Sequence, residues 1–353
     1  MGSFNAAMMA VARQMRGFSQ TELAKVLRIS QSKISKIEAG IVVPDDDLIQ
    51  VMGQALQFRP HFFTKEGQVR APQASYHRKR KKLSATEWDR INAKAELYRF
   101  SIETLLRSVD LVPTRVGPPA IDPDQYDGNV DRIASAVRQA WMLPRGPVAD
   151  VVKTIEDAGV LIVPFDFGSD LIDAFCQHGV DRVPPLIFLN SRVRSKDRLR
   201  YSLLHEIGHL CMHSIPNPEQ ENQANQFAAA FLMPADDIRH ELYSMSLERL
   251  MVLKTHWKAS MQAILIRARD LKRMSDRSYR YYQIELSKRG WRSAEPIEID
   301  SVEEPRLFRN LLRSHTGELG YSSEELADIF GIYLEDMPEI AVQDRPKLRL
   351  VTS

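Results

Sequence analysis

Cysteine is nearly absent from this chain: Cys176 and Cys211 are the only two in 353 residues. Two thiols exclude a disulfide framework and the cysteine-rich zinc modules. No apolar run reaches the length of a signal or membrane segment, so a cytoplasmic protein without a membrane partner is expected. Net charge is also scarce, with 48 Lys and Arg against 46 Asp and Glu. A near-neutral total excludes polyanion binding along the whole length but not by one part of it. Residues 1–110 carry 18 Lys and Arg against 11 Asp and Glu, an excess of seven positive charges. Much of it lies in His77-Arg78-Lys79-Arg80-Lys81-Lys82, which reads equally as a solvated linker or as a phosphate-contacting arm.

What is present is a metal-site pattern, His205-Glu206-Ile207-Gly208-His209, followed by Glu221. Residues four apart share a helix face, so both imidazoles can point at one ion, and Glu206 beside them can take a proton from a metal-bound water. Leu199, Leu203, Ile207 and Leu210 near one face predict that this helix is buried. The segment 214–218 breaks it, and Asn217 before Pro218 reads as the N-cap and first-turn proline of a second helix. That helix has apolar residues at Ala224, Phe227, Ala228, Phe231 and Leu232. Glu221 falls on their face, where a cation would offset the cost of burying its charge. Asn225, one turn on, is placed to orient Glu221. His213 continues the histidine stripe and is assigned a supporting or substrate-side role, because a catalytic zinc keeps one position open. Cys211 is read as core.

These residues, from His205 through His213 and on to Glu221 and the stretch ending Phe231-Leu232-Met233-Pro234, resemble the signature of the ImmA/IrrE metallopeptidases. The resemblance is specific over about residues 150–240 and looser to Trp291. It implies a gluzincin-like metallopeptidase domain with Zn2+ held by His205, His209 and Glu221, and with Glu206 as the general base.

The amino terminus carries a second pattern. Ser19 and Glu22 form a capping box for a helix to Leu27, a tight turn spans 28–30, and Ser30 caps a helix that Gly40 ends. Ala24, Val26, Leu27, Ile34 and Ile37 are the expected small core. Gln31, Ser32, Lys33, Ser35 and Lys36 are expected on the exposed face of the second helix, with Gln20 at the start of the first. Such side chains donate to base edges and phosphates from a helix in the major groove. Residues 19–40 resemble the XRE/Cro (phage-repressor-like) helix-turn-helix domain. The implied partner is double-stranded DNA, with an inverted-repeat operator read by a homodimer.

The expected fold is mostly α with an α+β part. Expected domains are a helix-turn-helix domain over 1–70, a basic linker and connecting helix over 71–125, the peptidase domain over 126–295, and a tail with short helices over 296–353. Helices are predicted over 84–109, 131–142, 147–158 and 247–273, and an amphipathic one over 322–330 that docks on the body or on another copy. Strands are predicted over 160–163 and 185–189. The segment 186–189 is either ordinary sheet core or an exposed strand that pairs with an extended substrate. The two resemblances together imply a transcriptional regulator whose peptidase half cleaves a repressor-type protein, or the chain itself, under a stress or phage-related signal. The alternative is a transcription factor whose peptidase-like domain senses a ligand or metal without turnover.

Overall fold

The computed structural model describes residues 3–65, 83–193, 195–215 and 217–337, so the basic run 77–82 lies outside the described residues. Two compact units emerge. The first is built from the amino terminus, residues 80–111 and the chain from Leu307 onward; the second takes up Val112–Arg306.

The first unit opens with α1 (Ala6–Met15), α2 (Gln20–Leu27), α3 (Gln31–Glu38) and α4 (Asp46–Leu56). Side-chain oxygens cap each start: Asn5, Ser19, Ser30 and Asp45 accept from main-chain N–H groups one turn in, and Ser19 with Glu22 completes the expected capping box. Leu23, Ala24, Leu27, Ile34 and Ile37 pack the core with Met8, Met9, Met52 and Phe62. Val26 is not among them: it is 50 % exposed, and Leu23 takes the place assigned to it. The apolar stripe of α2 runs 23, 24, 27, and a residue three after Leu23 but one before Leu27 rotates off it. The long α5 (Ala85–Leu105) starts with a second capping box, Ser84 and Glu87, and packs on α1.

The second unit follows, with α6 (Val130–Ala140) and α7 (Val151–Asp157) leading into β1 (Leu161–Phe165), β2 (Ala174–Gln177) and β3 (Leu186–Asn190). The sheet order is β1-β3-β2, with β1 parallel and β2 antiparallel to β3. The segment 186–189 therefore lies in the central strand, bonded on both sides, and cannot accept a substrate strand. Next come α8 (Lys196–Met212), α9 (Gln220–Leu232), the short α10 (Ala235–Ile238), α11 (Leu247–Trp257), α12 (Met261–Asp270) and α13 (Asp276–Lys288). The single helix predicted over 247–273 is two: Lys258 adopts a left-handed φ of 51° that ends α11, and Ser260 caps α12.

The chain then returns to the first unit with α14 (Leu307–Arg313) and α15 (Ser323–Phe330). The tail is an integral part of the first unit. Arg16 pairs with Asp336, the Arg59 N–H donates to Gly331 O at 2.9 Å, and Lys65 Nζ donates to Ile329 O at 2.8 Å. Gly331 has φ 72°, and a Cβ there would lie 2.9 Å from Phe62 Cβ, so both conformation and space require glycine. Among the described residues no helix is long and apolar enough to cross a membrane.

Candidate metal centre and nucleic-acid interface

Helix α8 is anchored before it reaches the histidines. Its first turn carries Asp197, which accepts from buried Lys254 of α11, and Arg200, which is fully buried, pairs with Glu303 and donates to Val148 O at 2.7 Å. Buried charges that are paired hold one geometry, and removal of either partner is costly. The helix is then covered on most sides, with Leu203, Leu204, Ile207 and Cys211 in the core.

Gly208 sets the approach of α9. A Cβ on it would stand 3.2 Å from both Ala224 Cα and Phe227 Cβ, closer than carbon atoms normally pack. This approach brings Glu221 to the two histidines. His205 Nε2 and His209 Nε2 are 3.1 Å apart, and Glu221 lies 3.3 Å from His209 Nε2 and 3.7 Å from His205 Nε2. Three donors on a tetrahedral zinc at about 2.0–2.1 Å are separated by about 3.4 Å, so the donor set fits that ion.

Each imidazole is held from behind. His205 Nδ1 faces Asn225 Oδ1 at 3.2 Å, and Asn225 Nδ2 donates to the Glu221 main-chain carbonyl at 2.8 Å. Asn225 thus orients His205, whereas it was expected to orient the Glu221 carboxylate. Tyr201 OH donates to Asn225 O at 2.9 Å. His209 Nδ1 lies 2.9 Å from His213 Nδ1, which places His213 behind His209. Helix α9 begins at Gln220 rather than at Pro218; Asn217 Oδ1 instead accepts from Glu219 N at 2.9 Å in the preceding turn.

Glu206 is 2 % exposed, and burial drives its carboxyl well above the usual range. The Cys176 thiol and main-chain N–H, both directed to it, pull the other way, and the Glu221 charge adds to the rise. Burial likewise lowers His209 to about 4 and His213 to about 4, so both imidazoles are neutral, as metal binding requires. His178, just past β2, bonds the His213 main-chain carbonyl and bears electrostatically on His209. Nothing in the sequence marks it, because it is brought in by the strand–helix packing.

In the first unit, α3 presents Gln31, Ser32, Lys33 and Lys36 to solvent, with Ser35 half-buried. Behind them runs a chain of bonds. Arg13 holds both oxygens of Glu38 at 2.5 and 3.0 Å, Gln20 Nε2 donates to Glu38 at 2.7 Å, and Gln31 Nε2 donates to Gln20 Oε1 at 2.8 Å. Arg13 and Glu38 escape a sequence reading because neither faces the groove. They fix the Gln20 and Gln31 amides.

The fold and sites define a helical helix-turn-helix module and a unit in which two histidines and one glutamate on neighbouring helices could hold a metal ion. Residues 10–63 match the helix-turn-helix family model, and residues 155–269 match that of the IrrE N-terminal-like domain. The two matches fall in the order that the motifs predict. No curated protein matches it significantly.

Proposed function

We propose that this protein is a DNA-binding regulator whose second unit is a zinc-dependent endopeptidase acting on a repressor-type protein or on the chain itself. The single observation that carries the reading is the convergence of His205, His209 and Glu221 within donor distance, with Glu206 one residue from the first ligand. Zinc bound there would polarise a peptide carbonyl and lower the pKa of a water. Glu206 takes the water's proton on its carboxylate and passes it to the departing amine, as a general base then acid. Its burial keeps bulk water out, and the Cys176 N–H holds it until substrate arrives.

The strand that would receive substrate is β2. Asn190 N–H donates to Asp173 O, so the alternation of an antiparallel ladder turns the main-chain groups of Ala174 and Cys176 away from β3. An extended segment adding to this edge would take the Cys176 N–H and release Glu206. The closed state of Glu206 favours, as the second reading, a ligand or metal sensor without turnover.

In the first unit, a homodimer places two α3 helices in successive major grooves of an inverted repeat, with the Gln20–Gln31 pair aimed at base edges. Metal analysis and mass spectrometry test the peptidase reading. Wild type and Glu206→Gln should each hold one zinc per chain, His205→Ala and His209→Ala should hold none, and only wild type should cut a confirmed partner. Equal emptiness of all four proteins after zinc loading would remove the centre. A Glu206→Gln protein that cleaves at the wild-type rate would remove the mechanism.

A further inference from the structure

Helix α9 supplies more to the histidines than Glu221. With a metal ion on the Nε2 of His209, its ring hydrogen would sit on Nδ1 and point at His213 Nδ1, 2.9 Å away. Only one hydrogen fits between two nitrogens at that distance. His213 must therefore accept at Nδ1 and carry its own hydrogen on Nε2. That atom lies 2.9 Å from Gln223 Oε1, an oxygen that accepts and never donates. Asn217 Nδ2 donates to the same oxygen at 3.3 Å. Two donors converging on Oε1 orient the amide. Turned over, it would face His213 with hydrogens, force the His213 hydrogen onto Nδ1, and set it against the hydrogen of His209.

We propose that Gln223 is a positioning residue of the metal centre, fixing the tautomer of His213 and through it the form of His209 whose Nε2 is bare for the ion. The inference rests on the reading that His205, His209 and Glu221 hold zinc. Gln223 sits two residues after Glu221 on α9, so the ligand and the tautomer lock arrive on one rigid element. Asn225 plays the corresponding part for His205 at 3.2 Å.

The test uses the full chain at pH 8, where the imidazoles are neutral, and reads zinc affinity against a chromophoric chelator. Gln223→Glu keeps two accepting oxygens and should bind within a few-fold of wild type. Gln223→Met keeps the length and offers no comparable acceptor, and should bind about 10–100-fold more weakly, the usual effect of losing a partner behind a metal histidine. A side chain that only packs would not separate Glu from Met in this direction. Long-range 1H–15N spectra of the zinc-loaded wild type read the His213 tautomer directly, whatever the variants do: hydrogen on Nε2 is expected, and hydrogen on Nδ1 overturns the proposal. Wild-type zinc affinity in Gln223→Met overturns it as well while leaving the metal centre standing. A wild type that takes up no zinc sinks the metal reading and this inference with it.

Discussion

Replacing Gly208 with alanine sets two known effects against each other. In a helix interior the change favours the helix by about 1 kcal/mol, because glycine loses more backbone freedom on folding. The new methyl, however, would meet Ala224 Cα and Phe227 Cβ at 3.2 Å. Ordinary carbon contact begins near 3.5 Å, so α9 must retreat by about three tenths of an ångström, and overpacking of this kind costs about 1–3 kcal/mol. The unloaded protein should thus lose between zero and about 2 kcal/mol of stability. Zinc binding should suffer more. Glu221 rides on α9 one turn before Ala224, and its distances to the histidines, 3.3 and 3.7 Å, widen with any retreat. Metal–ligand distances tolerate about 0.2 Å, so affinity should fall about tenfold or more. Urea unfolding of the metal-free protein and a competitive zinc titration measure the two quantities separately. An alanine variant more stable by about 1 kcal/mol with unaltered zinc affinity would show that the Gly208 contact does not position Glu221.

Double replacement of Lys33 and Lys36 with alanine should weaken DNA binding and reduce the log–log salt slope by up to about two, since each phosphate contact contributes nearly one; an unchanged slope would take α3 out of the interface. Metal-free protein should lose stability on acidification. His209 is lowered to about 4 from 6.5, so the unfolded chain takes up a proton that the folded one refuses. The contribution is complete above about pH 6.5 and drains away toward pH 4, at about 3 kcal/mol for His209 alone. A urea midpoint at pH 5 equal to that at pH 7.5 would contradict it.

Legibility from sequence followed the range of the interactions. The His205/His209 pair and the buried face of Glu221 are set by helical periodicity, and the capping boxes at Ser19 and Ser84 by three-residue spacing, so both could be read locally. Lys258 ends a helix in a left-handed conformation normally signalled by glycine or asparagine, and the break was invisible for that reason. Strand β2 is four residues long, too short to display alternation. Its discovery shifts the open sheet edge from the segment 186–189 to Ala174–Gln177. His178 and Gln223 carry no pattern because their partners come from other elements or other turns. The attachment of the tail depends on pairs such as Arg16 with Asp336, separated by 320 positions, and nothing local announces it.

Because α5, α14 and α15 share a unit with the helix-turn-helix, the unit with the candidate metal centre is inserted in the chain of the first unit rather than appended to it, with one chain crossing after α5 and another before α14. A nick anywhere in residues 66–82 would therefore yield two polypeptides and still one reader, its halves gripped by the α1–α5 packing, the Arg16–Asp336 pair and the Gly331–Phe62 contact. Peptide-bond hydrolysis there would register on a denaturing gel and not on a gel-filtration column. Were proteolysis to silence such a unit, a cut would also have to let it come apart, at a rate set by the release of both α5 and the tail from the amino-terminal helices.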